Sequence, residues 1–124
     1  MTQIKHFTPA EANKMLPLIR KIVADILKTG QTIRTLSSKV DKPEEDPQII
    51  RLMDQLDELF EELESLGCSY RDWNFSEGLV DFPSMIYGEE VLLCWRSDEK
   101  EVAYYHDLES GFVGRLPIPK EFLG

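Results

Sequence analysis

Apolar residues return every three or four positions through the first half of the chain. In the second half they come in short β-branched and aromatic runs, and the change falls at Gly67. The first helical stretch covers residues 8–40. Thr8 stands at its N-cap, Pro9 at the first helical position, and Glu11 completes a capping box. Ala12, Ile19, Ile26, Ile33 and Val40 form one row, with Met15, Ile22 and Leu36 beside it, which makes a seam for a partner helix. Pro17 is expected to kink this helix or split off its first turns, and Gly30 to weaken its middle. "DKPEEDP" then breaks the pattern. A second helix, residues 46–66, starts with Asp46 as cap and Pro47 behind it. Ile49, Met53, Leu56, Phe60 and Leu63 face one way, Leu52, Leu59 and Leu66 widen that face, and Gly67 ends it. So short a connection predicts an antiparallel hairpin.

"GLVDFPSMIY", "VLLCWR", "EVAYYH" and "GFVGRLPI" read as strands, with "YGEE", "SDEK" and "DLESG" as the turns between them. Pro83 marks the first of these as an edge strand or as its end. The expected fold is α+β: a long N-terminal antiparallel helical hairpin packed on a three- to four-stranded antiparallel meander over 67–124. All of it forms one domain, residues 1–124.

Composition narrows the function classes. The chain has 124 residues, 42% apolar and 30% charged, which suits a globular domain with a real core. No apolar run reaches the roughly 20 residues of a membrane span, and the N-terminal stretch lacks the apolar core of a signal peptide. Two cysteines, Cys68 and Cys94, are too few for a disulfide scaffold. A cytoplasmic protein with free thiols and no membrane partner is expected. The net charge of −9 argues against a nucleic-acid partner. The charge is also segregated: residues 8–40 carry six Lys/Arg against two Asp/Glu, and residues 41–66 carry two against ten. The basic helix therefore lies along the acidic one. The wide apolar face of the second helix exceeds one narrow seam. It points to a homodimer through the hairpin, or to coverage of the extra row by the sheet.

Candidate chemistry concentrates in "CWRSDEKEVAYYH", residues 94–106. A tight, even-length turn centred on Asp98–Glu99 would pair Arg96 with Glu101, Cys94 with Ala103, Leu92 with Tyr105 and Val91 with His106. Alternation then separates Cys94 from His106. Val91, Leu93, Trp95, Val102, Tyr104 and His106 would share the core side. A three-residue turn would instead bring Cys94 and His106 to one face, where zinc or thiol chemistry becomes arguable. Asp81, set among Leu79, Val80, Phe82 and Pro83, needs a partner if buried, and Arg115 with its planar fork is the expected one. The acidic stripe of the second helix lacks any His and reads as a solvated face, and neither HExxH nor GxGxxG occurs.

"FTPAEANKMLP", "GLVDFP", "LLCW", "YYH" and "GFVGR", in that order, resemble the family named domain of unknown function 2203 across nearly the whole chain. The resemblance implies a family-wide core of Asp81, Cys94, Trp95, His106, Gly111, Gly114 and Arg115, and a prokaryotic, cytoplasmic protein. It implies no activity.

Two functions are expected from this reading. The first is a non-enzymatic interaction or adaptor module that self-associates and takes an unidentified protein partner, with no catalytic residues and no cofactor. The second is a small-ligand or metal-binding protein, hydrolytic in its furthest form, with its site at the sheet edge. Asp81, His106 and Arg115 are the catalytic candidates of that second reading, with Trp95 and Tyr104 added for ligand binding. His106, Asp81 and Cys94 are its candidates for a divalent metal.

Overall fold

The computed structural model describes residues 5–123. Helix α1 (Pro9–Ser37) and helix α2 (Pro47–Ser65) form the hairpin, joined through a short 3-10 turn at Pro43–Glu45. Five strands follow: β1 (Ser69–Tyr70), β2 (Leu79–Ile86), β3 (Glu89–Arg96), β4 (Tyr104–His106) and β5 (Leu116–Pro117). A single turn of helix, α3 (Lys120–Leu123), closes the chain. The strands make one antiparallel meander in chain order. The architecture is the expected α+β, with five strands where three or four were predicted. The extra strand is the two-residue β1, too short to leave an alternation signal. "GFVGR" is not a strand: Phe112–Gly114 is a 3-10 turn, and pairing resumes only at Leu116.

The helix starts follow their caps. Thr8 accepts from the Glu11 N–H while the Glu11 carboxylate accepts from the Thr8 N–H, at 3.1 and 2.9 Å. Asp46 accepts from the N–H groups of Gln48 and Ile49. Helix α1 runs unbroken through Pro17, which sits exposed, so the predicted splitting of its first turns does not occur. It ends at Ser37, three residues short of the expected 40. Gly30 turns out to be a contact: a Cβ there would lie 2.4 Å from the Phe75 ring. Among the described residues, no helix is long and apolar enough to cross a membrane.

One face of the sheet meets the helices. Val80, Phe82, Ser84 and Ile86 of β2 lie beside Trp95, Leu93 and Val91 of β3. Apart from the polar Ser84, these side chains join Ile19, Val23, Ile26, Leu56 and Leu63 in one buried cluster. Ser84 donates to the Phe7 carbonyl. Pro83 lies beyond the two residues that β1 pairs, and there the Phe7 N–H donates to its carbonyl. The row Ile49, Leu56 and Leu63 is buried, and Phe60 stacks on Tyr70 with centroids 5.6 Å apart. Much of the apolar surplus on α2 is therefore covered from within.

The β3–β4 register corrects the sequence reading. Cys94 pairs with Tyr104, Leu93 with Tyr105 and Leu92 with His106. The pairs expected from a tight turn (Arg96–Glu101, Cys94–Ala103, Leu92–Tyr105 and Val91–His106) do not form. Seven residues, Ser97 to Ala103, separate the strands, an odd number that shifts every side chain by one face. Helix α1 holds this excursion open. Asn13 accepts the Val102 N–H at 2.6 Å and donates to the Val102 carbonyl at 3.3 Å. Arg20 donates to the carbonyls of Glu99 and Lys100, and Val102 is fully buried. Tyr104 and His106 therefore face away from Val91, Leu93 and Trp95.

Asn13→Ala leaves both backbone groups of Val102 without their partner. It is expected to cost about 1–3 kcal/mol, read as a lower urea midpoint with unchanged m-value.

A buried Asp–Cys–His cluster on the outer face of the sheet

The face turned from the helices is covered by the loop between β4 and β5. Asp81 and Cys94 are direct cross-strand partners, which puts their Cβ atoms about 4.5–5.5 Å apart. His106, opposite Leu92, stands diagonally to Cys94, within reach of a long side chain. One ligating atom from each of Asp81, Cys94 and His106 lies within 4.8 Å of the others. All three residues are buried, at 5%, 1% and 3% exposure, too little for solvent to satisfy them.

Bonding assigns the imidazole. His106 Nδ1 lies 2.6 Å from the backbone carbonyl of Asp107, which can only accept, so Nδ1 carries a hydrogen. Nε2 then faces Asp81 Oδ1 at 3.2 Å. Both ring nitrogens are spent, and neither is left to take a proton from the Cys94 thiol. A Cys–His nucleophilic pair is absent for that reason. Asp81 Oδ2 meets Arg71 Nε at 3.4 Å.

Burial pushes the Asp81 carboxyl above its ordinary range, against the opposing pull of His106 and Arg71. It pushes the Cys94 thiol up to about 12; neighbouring Asp81 adds to this, while the Arg115 guanidinium opposes it. Without a cation the site disfavours its own negative charges.

Of the remaining sequence candidates, Trp95 falls on the other face, while Arg115 and Tyr104 lie beside the cluster without joining it. Trp95 is fully buried on the helix face, its indole donating to the Glu99 carbonyl. Arg115 does not pair with Asp81. Its fork bonds both Glu99 oxygens, at 2.9 and 2.6 Å, between the rings of Tyr104 and Phe112. Glu99 won that competition because the long loop carries it back under β3, where it also accepts the Arg96 N–H. Arg115 is thus a staple of the covering loop and has no free fork for an anion. Tyr104 lies on the site face, beneath Arg115.

Arg71 is the residue that sequence reasoning missed. Its N–H donates to the Leu79 carbonyl one step beyond β1, which extends the pairing and brings it beside Asp81. The signal lay in the strand pairing alone, because "SYRD" is too short to show a strand. Asp72 fixes the next turn by accepting the N–H groups of Asn74, Ser76 and Glu77.

A cavity of about 290 Å³ opens over the cluster. Asp81, Cys94 and His106 form its floor, Leu79, Leu92, Leu108 and Phe112 its walls, and Arg71 and Glu109 also line it.

A family model described as "Uncharacterized conserved protein (DUF2203)" matches residues 5–118. Comparison with curated proteins and with solved structures returned no match.

Cys68 and Cys94 are both held at about 12 by burial, against an ordinary 9.0. The unfolded chain gives up these protons first as pH rises. Their contribution to stability is complete below the unfolded value and is lost as pH climbs towards the folded one. The urea midpoint of the metal-free protein is expected to fall between pH about 9 and about 11, with both thiols resisting iodoacetamide until denaturant is added.

Proposed function

Because the chain belongs to the DUF2203 family of uncharacterized conserved proteins, a membership that carries no activity with it, we propose its function from the site: it is a metal-binding protein. Asp81, Cys94 and His106 hold one zinc-class divalent ion at the floor of a small cavity. The observation that carries this reading is the convergence of three buried ligating atoms, one each from Asp81, Cys94 and His106, within 4.8 Å of one another. With Nδ1 donating to a carbonyl, Nε2 is the ring nitrogen that meets the carboxylate, at 3.2 Å; a shared proton bridges the two in the metal-free protein, and a metal ion would take its place. Histidines that ligate metals characteristically donate their other N–H to a carbonyl or carboxylate.

Spacing and donor set support the reading. Ligands bound at about 2.0–2.3 Å in a tetrahedron stand roughly 3.3–3.8 Å from one another. The His106–Asp81 separation is already that short, and the Cys94 sulfur lies within 4.8 Å. One sulfur, one nitrogen and one oxygen suit a borderline ion such as zinc rather than magnesium or calcium. Three protein ligands leave a fourth position open towards the cavity, as in catalytic rather than structural zinc sites. A hydrolytic role would use that position.

Cobalt(II) added to metal-free protein is expected to bind one equivalent and give a thiolate-to-cobalt charge-transfer band. Cys94→Ser loses the band, and His106→Ala weakens binding by about 100-fold or more. Metal at a hundred times its dissociation constant adds about 2.7 kcal/mol of stability. Uptake no better than that of a Cys94→Ser/His106→Ala double variant would overturn the reading.

Self-association through the hairpin stands as a second reading. It rests on Ile50 and Met53, 43% and 51% exposed one turn apart on α2. Sedimentation is expected to show a dimer that Met53→Lys dissociates. A monomer at the highest attainable concentration removes it.

A further inference from the structure

The cavity above the cluster selects its own ligand. Its walls, Leu79, Leu92, Leu108 and Phe112, are apolar, and among the described residues that line it Arg71 is the cation. The closest approach of Arg71 to Asp81 is through Nε, at 3.4 Å, and the Arg71 side chain is 53% exposed. A guanidinium thus lines a hole whose floor offers an open coordination position. An Arg fork fits a planar carboxylate through two parallel hydrogen bonds.

Charge sets the limit on what enters. A divalent ion held by one carboxylate and one thiolate is already neutralised by its ligands. Arg71 then supplies the single unit of positive charge that a ligand can use, and Glu109 lines the same cavity with a negative one. With Glu109 counted, the lining and the ion sum to zero, so a ligand's negative charge is held only locally, between Arg71 and the ion; a monoanion can sit there, and a phosphate dianion brings a further charge with no partner. Size is the second limit. About 290 Å³ lies just under the range of drug-sized sites, so the body of the ligand is a few carbons long.

On the reading that the cluster holds a divalent ion, we propose that this cavity binds a small aliphatic monocarboxylate. Its carboxylate lies between the ion and Arg71, and its hydrocarbon tail lies against Leu79, Leu92, Leu108 and Phe112. Arg71 sets specificity here and is not a metal ligand.

The test is a titration of cobalt(II)-loaded protein with acetate, propionate and butyrate, followed by the cobalt absorption spectrum. Propionamide, propylamine and inorganic phosphate serve as comparisons. The expected result is a saturable spectral change with the three acids only, tightening about three- to fourfold for each added methylene. Arg71→Gln, with its cobalt band intact, weakens propionate by about tenfold or more. An intact cobalt band that no acid perturbs overturns this inference and leaves the metal site standing. Phosphate binding as tightly as butyrate, or propionamide as tightly as propionate, overturns the carboxylate assignment. Absence of any cobalt band overturns the metal site and this inference with it. If Arg71→Gln does not hold cobalt, the acid, amide and chain-length comparisons in the unaltered protein decide alone.

Discussion

The hold of helix α1 on the loop between β3 and β4 is the constraint on which the candidate site rests. Asn13 brackets the backbone of Val102, and Arg20 reaches the carbonyls of Glu99 and Lys100. These bonds keep seven residues out of the ladder, where a tight hairpin would leave fewer. The odd count places Cys94 and His106 on one side of the sheet, with Asp81 across the next strand. Side chains more than sixty positions upstream thus determine which residues of the sheet can meet. The same helix holds the preceding loop, through Gln31 to the Phe75 carbonyl and Arg34 to the Asn74 carbonyl.

The two faces of the sheet follow different chemical rules. Towards the helices, burial is aliphatic and aromatic, and its polar groups are few and locally bonded. Towards the loop, three groups that carry or donate protons are buried together, and two of them, the imidazole and the carboxylate, are bonded to something that restricts them. The carbonyl of Asp107 fixes the imidazole and Arg71 sits on the carboxylate. The loop itself is fastened by the paired Arg115 and Glu99. An apolar core with a buried polar cluster behind it gives up stability that a purely apolar second face would have kept. Such a sacrifice is found where a site has work to do.

Much of the architecture was legible because helix signals are local. Thr8, Pro9 and Glu11 announce a start, as do Asp46 and Pro47; the heptad rows name Ala12, Ile19, Ile22 and Ile26 of α1 and Ile49, Leu56 and Leu63 of α2, miss the buried Leu16 and Val23, and include Met53, which is exposed. Strands β2 and β3 were legible through alternation and aromatic content. The register between β3 and β4 was not, because it depends on a contact from Asn13 that no local pattern encodes. The expectation that Asp81, Cys94 and His106 mattered came from residue type, and the same reasoning named Trp95 and Arg115. Trp95 belongs to the helix-side core and Arg115 to the loop staple, and both assignments follow from the register. Arg71 was invisible because a two-residue strand has no periodicity to read.

The polar bracket at Val102 also ties the parity of the sheet to the helical hairpin. In the other alignment of β3 against β4, His106 would point towards the helices. Asn13 and Arg20 weigh against that alignment, and the loop is held as well by the bonds of Glu99 to Trp95, Arg96 and Arg115. A change at Asn13 therefore reaches a polar cluster that it never touches, by loosening the choice of which side of the sheet is polar.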